Sequence, residues 1–170
     1  MLLAWSADKG FSAGSTLMLT LMRLSAVITS PPYANRYDYT RTYALELAYL
    51  GVGDEIFKLR QNLLSCTVEN RPKLAELEAC YHSLGRGKDF KRIAGIVQSN
   101  RALAEVNSAL KIRNKRGEIN NSGVLSMVDQ YFTELTFVYA ELFRVCRSGA
   151  AVAFVNDNVR YAGEIVPVDL

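Results

Sequence analysis

The chain has 170 residues, with 20 Lys and Arg against 17 Asp and Glu, and 49% of its positions are hydrophobic. This profile indicates one compact domain, because the chain is too short for two ordinary domains and too apolar to stay disordered. The formal net charge of +3 permits contact with a polyanion without requiring it.

Cysteine and histidine usage argues against several kinds of site. The cysteines Cys66, Cys80 and Cys146 are odd in number and widely spaced, so neither a disulfide framework nor a zinc site is expected. His82 is the single histidine, and any nucleophilic triad would need it. An ordinary surface histidine is the simpler interpretation. We expect no metal.

The first apolar run, over residues 17–28, is interrupted by Arg23 and has neither a basic start nor an A-x-A cleavage site. It is therefore not expected to be a signal peptide or a membrane span. Together with the cysteine usage, this predicts a cytoplasmic protein without a membrane partner.

The β-branched run at residues 26–29 predicts a buried strand that ends at Ser30, Pro31, Pro32 and Tyr33. Apolar residues at helical spacing over residues 40–51 then predict a helix with a glycine stop at Gly51.

The segment over residues 54–120 has helical character and is broken by Pro72, Gly85 and Gly87. Within it, residues 85–116 hold nine basic and two acidic side chains, a local net charge of +7. Such a run is usually a solvated helical face, and in a protein that binds a polyanion it becomes a candidate contact surface.

A long amphipathic helix is predicted after residue 122, with Ser148 and Gly149 as its left-handed exit. The apolar positions that define its stripe are Val124, Val128, Tyr131, Phe132, Leu135, Val138, Leu142 and Val145. A second buried strand follows over residues 150–155 and ends in Asn156, Asp157 and Asn158.

A strand, a crossover and a second strand predict a parallel sheet with covering helices, and therefore an α/β fold. Open sheets of this kind bind their ligands at the carboxyl ends of the strands. Ser30 to Tyr33 and Asn156 to Asn158 are thus expected to face one crevice.

The string over residues 27–41, VITSPPYANRYDYTR, resembles the (S/D/N)PPY region of S-adenosylmethionine-dependent amino-methyltransferases that act on DNA. The likeness extends to residues 144–149 and 155–170. The resemblance implies a partial Rossmann-like, class I methyltransferase fold with a helical insertion, with Ser30, Pro31, Pro32 and Tyr33 as catalytic residues.

The motif also has a physical rationale. The lone pair of an exocyclic amine is delocalised into its heterocycle, so the amine becomes nucleophilic when two acceptors hold it out of plane. The Ser30 side chain and the Pro31 carbonyl are candidate acceptors, the prolines fix the backbone, and Tyr33 is placed to stack on a flipped base. The resemblance implies cytosine N4 as the target, in preference to adenine N6.

The cofactor site implied by the resemblance is less complete. Phe11 and Gly14 resemble a reduced F-x-G-x-G turn, and Thr29 and Asn156 are further candidates for S-adenosylmethionine binding. Only 16 positions separate Gly14 from Ser30, which is too short for the expected helix, strand, helix and strand.

These spacings predict three regions: a degenerate cofactor-binding remnant at residues 1–24, a catalytic region at residues 25–170, and within it a basic helical insertion at residues 54–120. A truncated gene product, one piece of a split enzyme and a non-catalytic remnant are all compatible with this organisation. An apolar sheet edge without a neighbour predicts a homo-oligomer or a complementing methylase subunit.

DNA is the expected macromolecular partner. Candidate DNA-binding residues are Arg36, Arg41, Lys111, Arg113, Lys115 and Arg116. Tyr37, Tyr39 and Tyr43 are expected either to pack on a helix or, for Tyr37 and Tyr39, to contact unstacked bases. A DNA-binding or assembly module without catalysis and an RNA amino-methyltransferase remain as alternative functions.

Overall fold

The computed structural model describes residues 24–169 of the chain. In this range the elements are β1 (Leu24–Thr29), α1 (Tyr39–Thr42), α2 (Ala44–Tyr49), a 3-10 turn (Gly53–Glu55), α3 (Ile56–Asn62), α4 (Leu74–Ser83), α5 (Gly87–Ser99), α6 (Arg101–Lys115), α7 (Gly123–Val145), β2 (Cys146–Phe154), β3 (Val159–Tyr161) and β4 (Glu164–Val166). None of the helices described is both long enough and apolar enough to cross a membrane.

Strands β1 and β2 form a two-stranded parallel sheet, which confirms the parallel pairing expected from the sequence. Their register runs from Ala26 opposite Ala151 to Thr29 opposite Phe154. The helical region from α1 to α7 is the crossover that connects them. Strands β3 and β4 form a separate antiparallel hairpin.

The end of α7 differs from the prediction. The helix stops at Val145, and Gly149, expected as its left-handed exit, lies inside β2 with a φ of +77°. The register of the sheet shifts between Leu24 and Ala26 beside this residue. Gly149 therefore has the predicted left-handed backbone conformation, but it lies at an irregularity within β2 and not at the end of a helix.

The expected burial of the two strands is wrong for the part of the chain described. Ile28 is 82% exposed and Val152 is 42% exposed. Within residues 24–169, packing on the sheet comes chiefly from α7, whose Tyr139 ring lies 4.4 Å from the ring of Phe154, centroid to centroid. β-branched composition predicts a strand, but burial also requires a covering layer on each face.

The predicted helix over residues 40–51 is present as two short helices, α1 and α2, separated at Tyr43. Gly51 adopts a φ of +75°, in agreement with a glycine stop. Its apolar residues are largely solvent-exposed, and Leu45 and Tyr49 are 84% and 92% exposed.

Helix α7 organises the core, as its apolar periodicity predicts. On its first half, Val124, Met127 and Val128 pack with Leu110 of α6 and Val166 of β4. On its second half, Phe137 packs with a cluster from α4 and α5 that consists of Leu77, Tyr81, Phe90 and Ile93. The basic helices α5 and α6 are thus attached to one continuous helix.

A charged cluster on the apolar stripe of α7 joins the helix to the loop before α4. Glu134 is 8% exposed and accepts hydrogen bonds from the Ser65 backbone N–H at 3.0 Å and the Ser65 hydroxyl at 2.6 Å. Lys73 Nζ lies 3.0 Å from the Glu134 carboxylate. The Glu134 carboxylate and the Lys73 ammonium therefore form a largely buried ion pair, in which each charge compensates the other.

We expect Glu134→Gln to lower the free energy of unfolding by about 3 kcal/mol, because it leaves the Lys73 ammonium buried without its counter-ion. Adding Lys73→Met should recover most of this loss, since the double variant holds no unpaired charge. Glu118→Gln removes an exposed ion pair with Arg113 and should change the value by about 0.5 kcal/mol or less. Urea unfolding measures all three, and equal losses in Glu134→Gln and the double variant would contradict the ion pair's role.

Glu141 of α7 joins α4 and α5 to the core. Its carboxylate accepts hydrogen bonds from the Tyr81 hydroxyl at 2.7 Å, Arg86 Nη1 at 2.8 Å and Arg144 Nε at 2.6 Å. Burial raises the pKa of Glu141, but these three donors outweigh it and hold the pKa below the ordinary value of 4.5.

This depressed pKa makes stability depend on pH. The contacts of Glu141 stabilise the fold fully above the unfolded pKa, and the benefit is lost as the pH falls through the lower folded pKa. The difference in unfolding free energy between the wild type and Glu141→Gln should therefore be larger at about pH 7 than at about pH 3. Glu46→Gln, on exposed α2, controls for the change in net charge. If the difference between the wild type and Glu141→Gln were larger at the acidic pH, it would contradict the stabilising role of the ionised Glu141 carboxylate.

Candidate active site

The two predicted site segments leave the same edge of the sheet. Thr29 ends β1 opposite Phe154, and the Val155 backbone N–H donates to the Thr29 carbonyl at 2.9 Å. The next residues along the two segments are Ser30 and Asn156. The parallel register thus brings together the polar ends that the sequence analysis placed at one crevice.

In the S-P-P-Y loop, the first and last side chains approach each other. The Ser30 hydroxyl lies 3.5 Å from the Tyr33 hydroxyl. Ser30 is exposed, whereas Pro31, Pro32 and Tyr33 are half-buried. The loop therefore presents a hydroxyl, a proline-restrained carbonyl and an aromatic ring within one small region.

Ala34, directly after the loop, is completely buried against Tyr131 and Leu135 of α7. The Tyr161 hydroxyl donates a hydrogen bond to its carbonyl. Burial raises the pKa of Tyr161 to about 12, so this phenol remains a donor across the neutral range. The loop is therefore attached to both the long helix and the β3–β4 hairpin.

Arg36 has a φ of +67°, a left-handed backbone conformation that is uncommon for residues other than glycine. Its Nη1 donates to Asn120 Oδ1 at 3.0 Å, and its guanidinium carbon lies 5.8 Å from the centre of the Tyr161 ring. These contacts hold the strained residue between the motif loop and the segment that precedes α7.

Asp38 fixes the far end of the motif segment. Its Oδ1 accepts hydrogen bonds from the Thr40 N–H at 2.9 Å and the Thr40 hydroxyl at 2.6 Å, and so caps α1. Its Oδ2 makes ion-pair contacts with Arg60 Nε at 2.9 Å and Arg41 Nε at 3.1 Å.

Cys66 is buried, and its sulfur lies 3.6 Å from the Tyr37 carbonyl oxygen. Burial raises the pKa of the Cys66 thiol to about 11, which makes the thiol a packing group with little thiolate at neutral pH.

The candidate cofactor residues are only partly described. Phe11 and Gly14 lie outside the described residues, and Thr29 is the last residue of β1. The Asn156 amide donates to the Tyr131 hydroxyl at 2.7 Å, while its oxygen accepts from the Asp157 N–H at 2.9 Å. Asn156 therefore already binds α7, a contact that sequence reasoning did not anticipate.

Apart from Arg36, the candidate DNA-binding cations fall into two groups. Arg41 is paired with Asp38 and Glu69, and Arg113 is paired with Glu118 and Glu164. Within residues 24–169, no ion pair is formed by the exposed residues Lys111, Lys115 and Arg116 at the end of α6. These three are therefore the better-placed phosphate contacts among the predicted set.

Sequence reasoning missed the contacts of Tyr131, Tyr161 and Asp38 that hold the motif segment in place. It also missed the buried ion pair of Glu134 with Lys73. One signal was available for Glu134, because it interrupts the apolar stripe of α7 between Tyr131 and Leu135. The open cleft of about 580 Å³ that is lined by His82, Arg86, Gly87, Lys88 and Lys91 lies at the start of α5 and not at the motif loop.

The matching relatives are Type II methyltransferases. The chain is 65% identical over 145 residues to the Type II methyltransferase M.BsoBI of Geobacillus stearothermophilus. It is 46% identical over 145 residues to the Type II methyltransferases M.AvaI of Nostoc sp. (strain PCC 7120) and of Anabaena variabilis. The resemblance to site-specific DNA methyltransferases is thereby confirmed.

Each match covers 85% of this chain and 28% of the relative, so the chain spans about 28% of the length of these enzymes. No family model matches the chain. No solved structure matches it either.

We expect Tyr161→Phe to lower the free energy of unfolding by about 1 kcal/mol, because it removes the hydrogen bond to the Ala34 carbonyl and keeps the ring under Arg36. Urea unfolding measures this loss. Tyr49→Phe is the matched control, since Tyr49 is 92% exposed, and it should leave stability unchanged. An equal effect of the two substitutions would show that the Tyr161 hydroxyl does not anchor the loop.

Proposed function

We propose that this chain carries the methyl-transfer loop of an S-adenosylmethionine-dependent DNA amino-methyltransferase. The supporting observation is the geometry of the S-P-P-Y loop. It leaves the carboxyl end of a parallel strand, and its Ser30 and Tyr33 hydroxyls lie 3.5 Å apart. Burial of Ala34 on α7 fixes the backbone that follows. The proposed fold of the whole enzyme is Rossmann-like, with residues 54–120 as a helical insertion.

In this proposal the loop acts on the amine by orientation. The Ser30 hydroxyl oxygen and the Pro31 carbonyl oxygen accept hydrogen bonds from the two N–H groups of the amine, which turns the nitrogen lone pair out of conjugation with the ring. Tyr33 stacks on the extruded base, and Pro32 keeps the Pro31 carbonyl directed at the amine. Such positioning lowers the entropic part of the barrier.

S-adenosylmethionine supplies the electrophilic methyl group in this proposal. Thr29 and Asn156 are the described residues proposed to hold it, together with Phe11 and Gly14. Thr29 and Asn156 fit such a ligand by position, because Thr29 ends β1 and Asn156 lies two residues after the end of the paired parallel strand β2. The Ser at position 30 favours cytosine N4 over adenine N6.

The proposed DNA contact is the end of α6. Lys111, Lys115 and Arg116 are exposed there, and Arg36 donates a hydrogen bond to Asn120 in the segment between α6 and α7. A basic surface that binds phosphates gives affinity without reading sequence.

A DNA-binding module without catalysis is the second candidate function. It is favoured by one observation: the basic helices α5 and α6 pack on α7 independently of the exposed β1–β2 sheet.

We also propose that a second copy or a complementing subunit covers Ile28 and Val152 of the β1–β2 sheet. Sedimentation of the purified chain tests that association.

Methyl transfer from radiolabelled S-adenosylmethionine to duplex DNA tests the first proposal. It is measured in this chain and in a chimera that carries the matched 145 residues within M.BsoBI. Pro31→Ala or Tyr33→Ala should abolish transfer in the chimera and leave DNA affinity largely intact, while Tyr49→Ala should retain transfer. Unchanged transfer in both loop variants would refute the assignment of the loop.

The salt dependence of DNA binding tests the proposed contact surface. Replacing Lys111, Lys115 and Arg116 by Gln should weaken binding to any duplex and reduce the slope of log affinity against log salt by about one per lost contact. Lys58→Gln is the control, because Lys58 lies on α3 and not on α6 and is paired with Glu55. An unchanged slope in the triple variant would place the phosphate contacts elsewhere.

A further inference from the structure

Four tyrosines lie close together beside the motif loop, and the candidate catalytic role uses only the first of them. We call Tyr33, Tyr37, Tyr39 and Tyr43 the tyrosine surface. The rings of Tyr37 and Tyr39 meet edge to face with their centroids 5.0 Å apart. Burial raises the pKa of the Tyr39 hydroxyl, and the nearby ionisable groups of Cys66, Tyr33, Tyr37 and Tyr43 raise it further.

Two members of this surface are accessible from solvent. Tyr37 is 47% exposed and Tyr43 is 49% exposed. The backbone beneath them is nevertheless fixed, because Thr40 is 2% exposed and Asp38 is paired with Arg60 at 2.9 Å. Two large rings are thus held in place by a rigid segment without being buried by it.

The charge around the tyrosine surface indicates what it binds. Arg36 and Arg41 flank it, and the Arg41 side chain is 66% exposed. Asp38 is the single acidic residue between residues 30 and 43, and it is paired with Arg60 and Arg41. Glu69, from outside this segment, lies 3.3 Å from Arg41. Aromatic faces beside guanidinium groups complement the bases and phosphates of a nucleic acid.

We propose that the tyrosine surface stacks on unpaired bases next to the nucleotide that Tyr33 receives. This inference deepens the proposed function and rests on it for DNA as the bound polymer. Flipping one nucleotide unstacks its neighbours. Tyr37 and Tyr43 would offer those neighbours a prearranged aromatic face and so stabilise the opened duplex.

The test uses the 170-residue chain, without S-adenosylmethionine. Fluorescence anisotropy compares two labelled duplexes of equal length, one fully paired and one with a central bulge of unpaired bases. The wild type should bind the bulged duplex more tightly, by about tenfold. The double substitution Tyr37→Leu and Tyr43→Leu should remove this preference, and Tyr37→Phe with Tyr43→Phe should keep it.

Two controls separate this inference from its alternatives. Tyr49→Leu removes an exposed tyrosine outside the tyrosine surface and should leave the preference unchanged. An equal loss in Tyr49→Leu would overturn the inference, because the preference would then not depend specifically on the tyrosine surface. Lys111→Gln should weaken binding to both duplexes equally.

The inference can fail independently of the methyl-transfer proposal. A wild type without any preference for the bulge, or an equal loss in the Phe and Leu double variants, overturns stacking by these rings. Neither result bears on methyl transfer, which the substitutions in the S-P-P-Y loop test.

Discussion

The contact between Ala34 and α7 is the constraint on which the rest of the site depends. Ala34 has no exposed surface, and it lies against Tyr131 and Leu135 in the middle of the long helix. A larger side chain would push the motif loop away from the helix, because protein interiors hold few voids. The small residue after the S-P-P-Y motif thus allows the loop to sit directly on the core.

Polar contacts then convert this packing into a fixed orientation. Tyr161 binds the Ala34 carbonyl, Asn156 binds the Tyr131 hydroxyl, and Asp38 caps α1. A loop restrained in this way would need little reorganisation to hold a base in the proposed function, and such preorganisation is what an orienting mechanism requires. The basic helices α5 and α6 are attached to the same α7, so the candidate phosphate contacts and the loop share one framework.

Local periodicity predicted much of this architecture. The stripe from Val124 to Leu135 identified α7, and two β-branched runs separated by a helical segment predicted the parallel pairing of β1 with β2. Strand burial was predicted wrongly, because composition does not say which layers cover a sheet. The break at Tyr43 escaped prediction because no proline or glycine marks it.

Long-range polar contacts were the least predictable part of the site. The ion pair of Lys73 with Glu134 joins residues 61 positions apart, and Tyr161 reaches Ala34 across 127 positions. A single sequence does not encode such pairings in any local pattern. The left-handed backbone of Arg36 was equally unpredictable, since its contacts are with the distant residues Asn120 and Tyr161.

We expect the motif segment to belong to the same cooperative unit as α7. Native-state hydrogen exchange reports this at the Thr40 amide, which is bonded to Asp38 and nearly buried. The opening free energy of this amide should lie within about 1 kcal/mol of that of the Leu135 amide in α7. Rapid exchange at Thr40 while Leu135 stays protected would contradict it, because the loop would then open independently of the core.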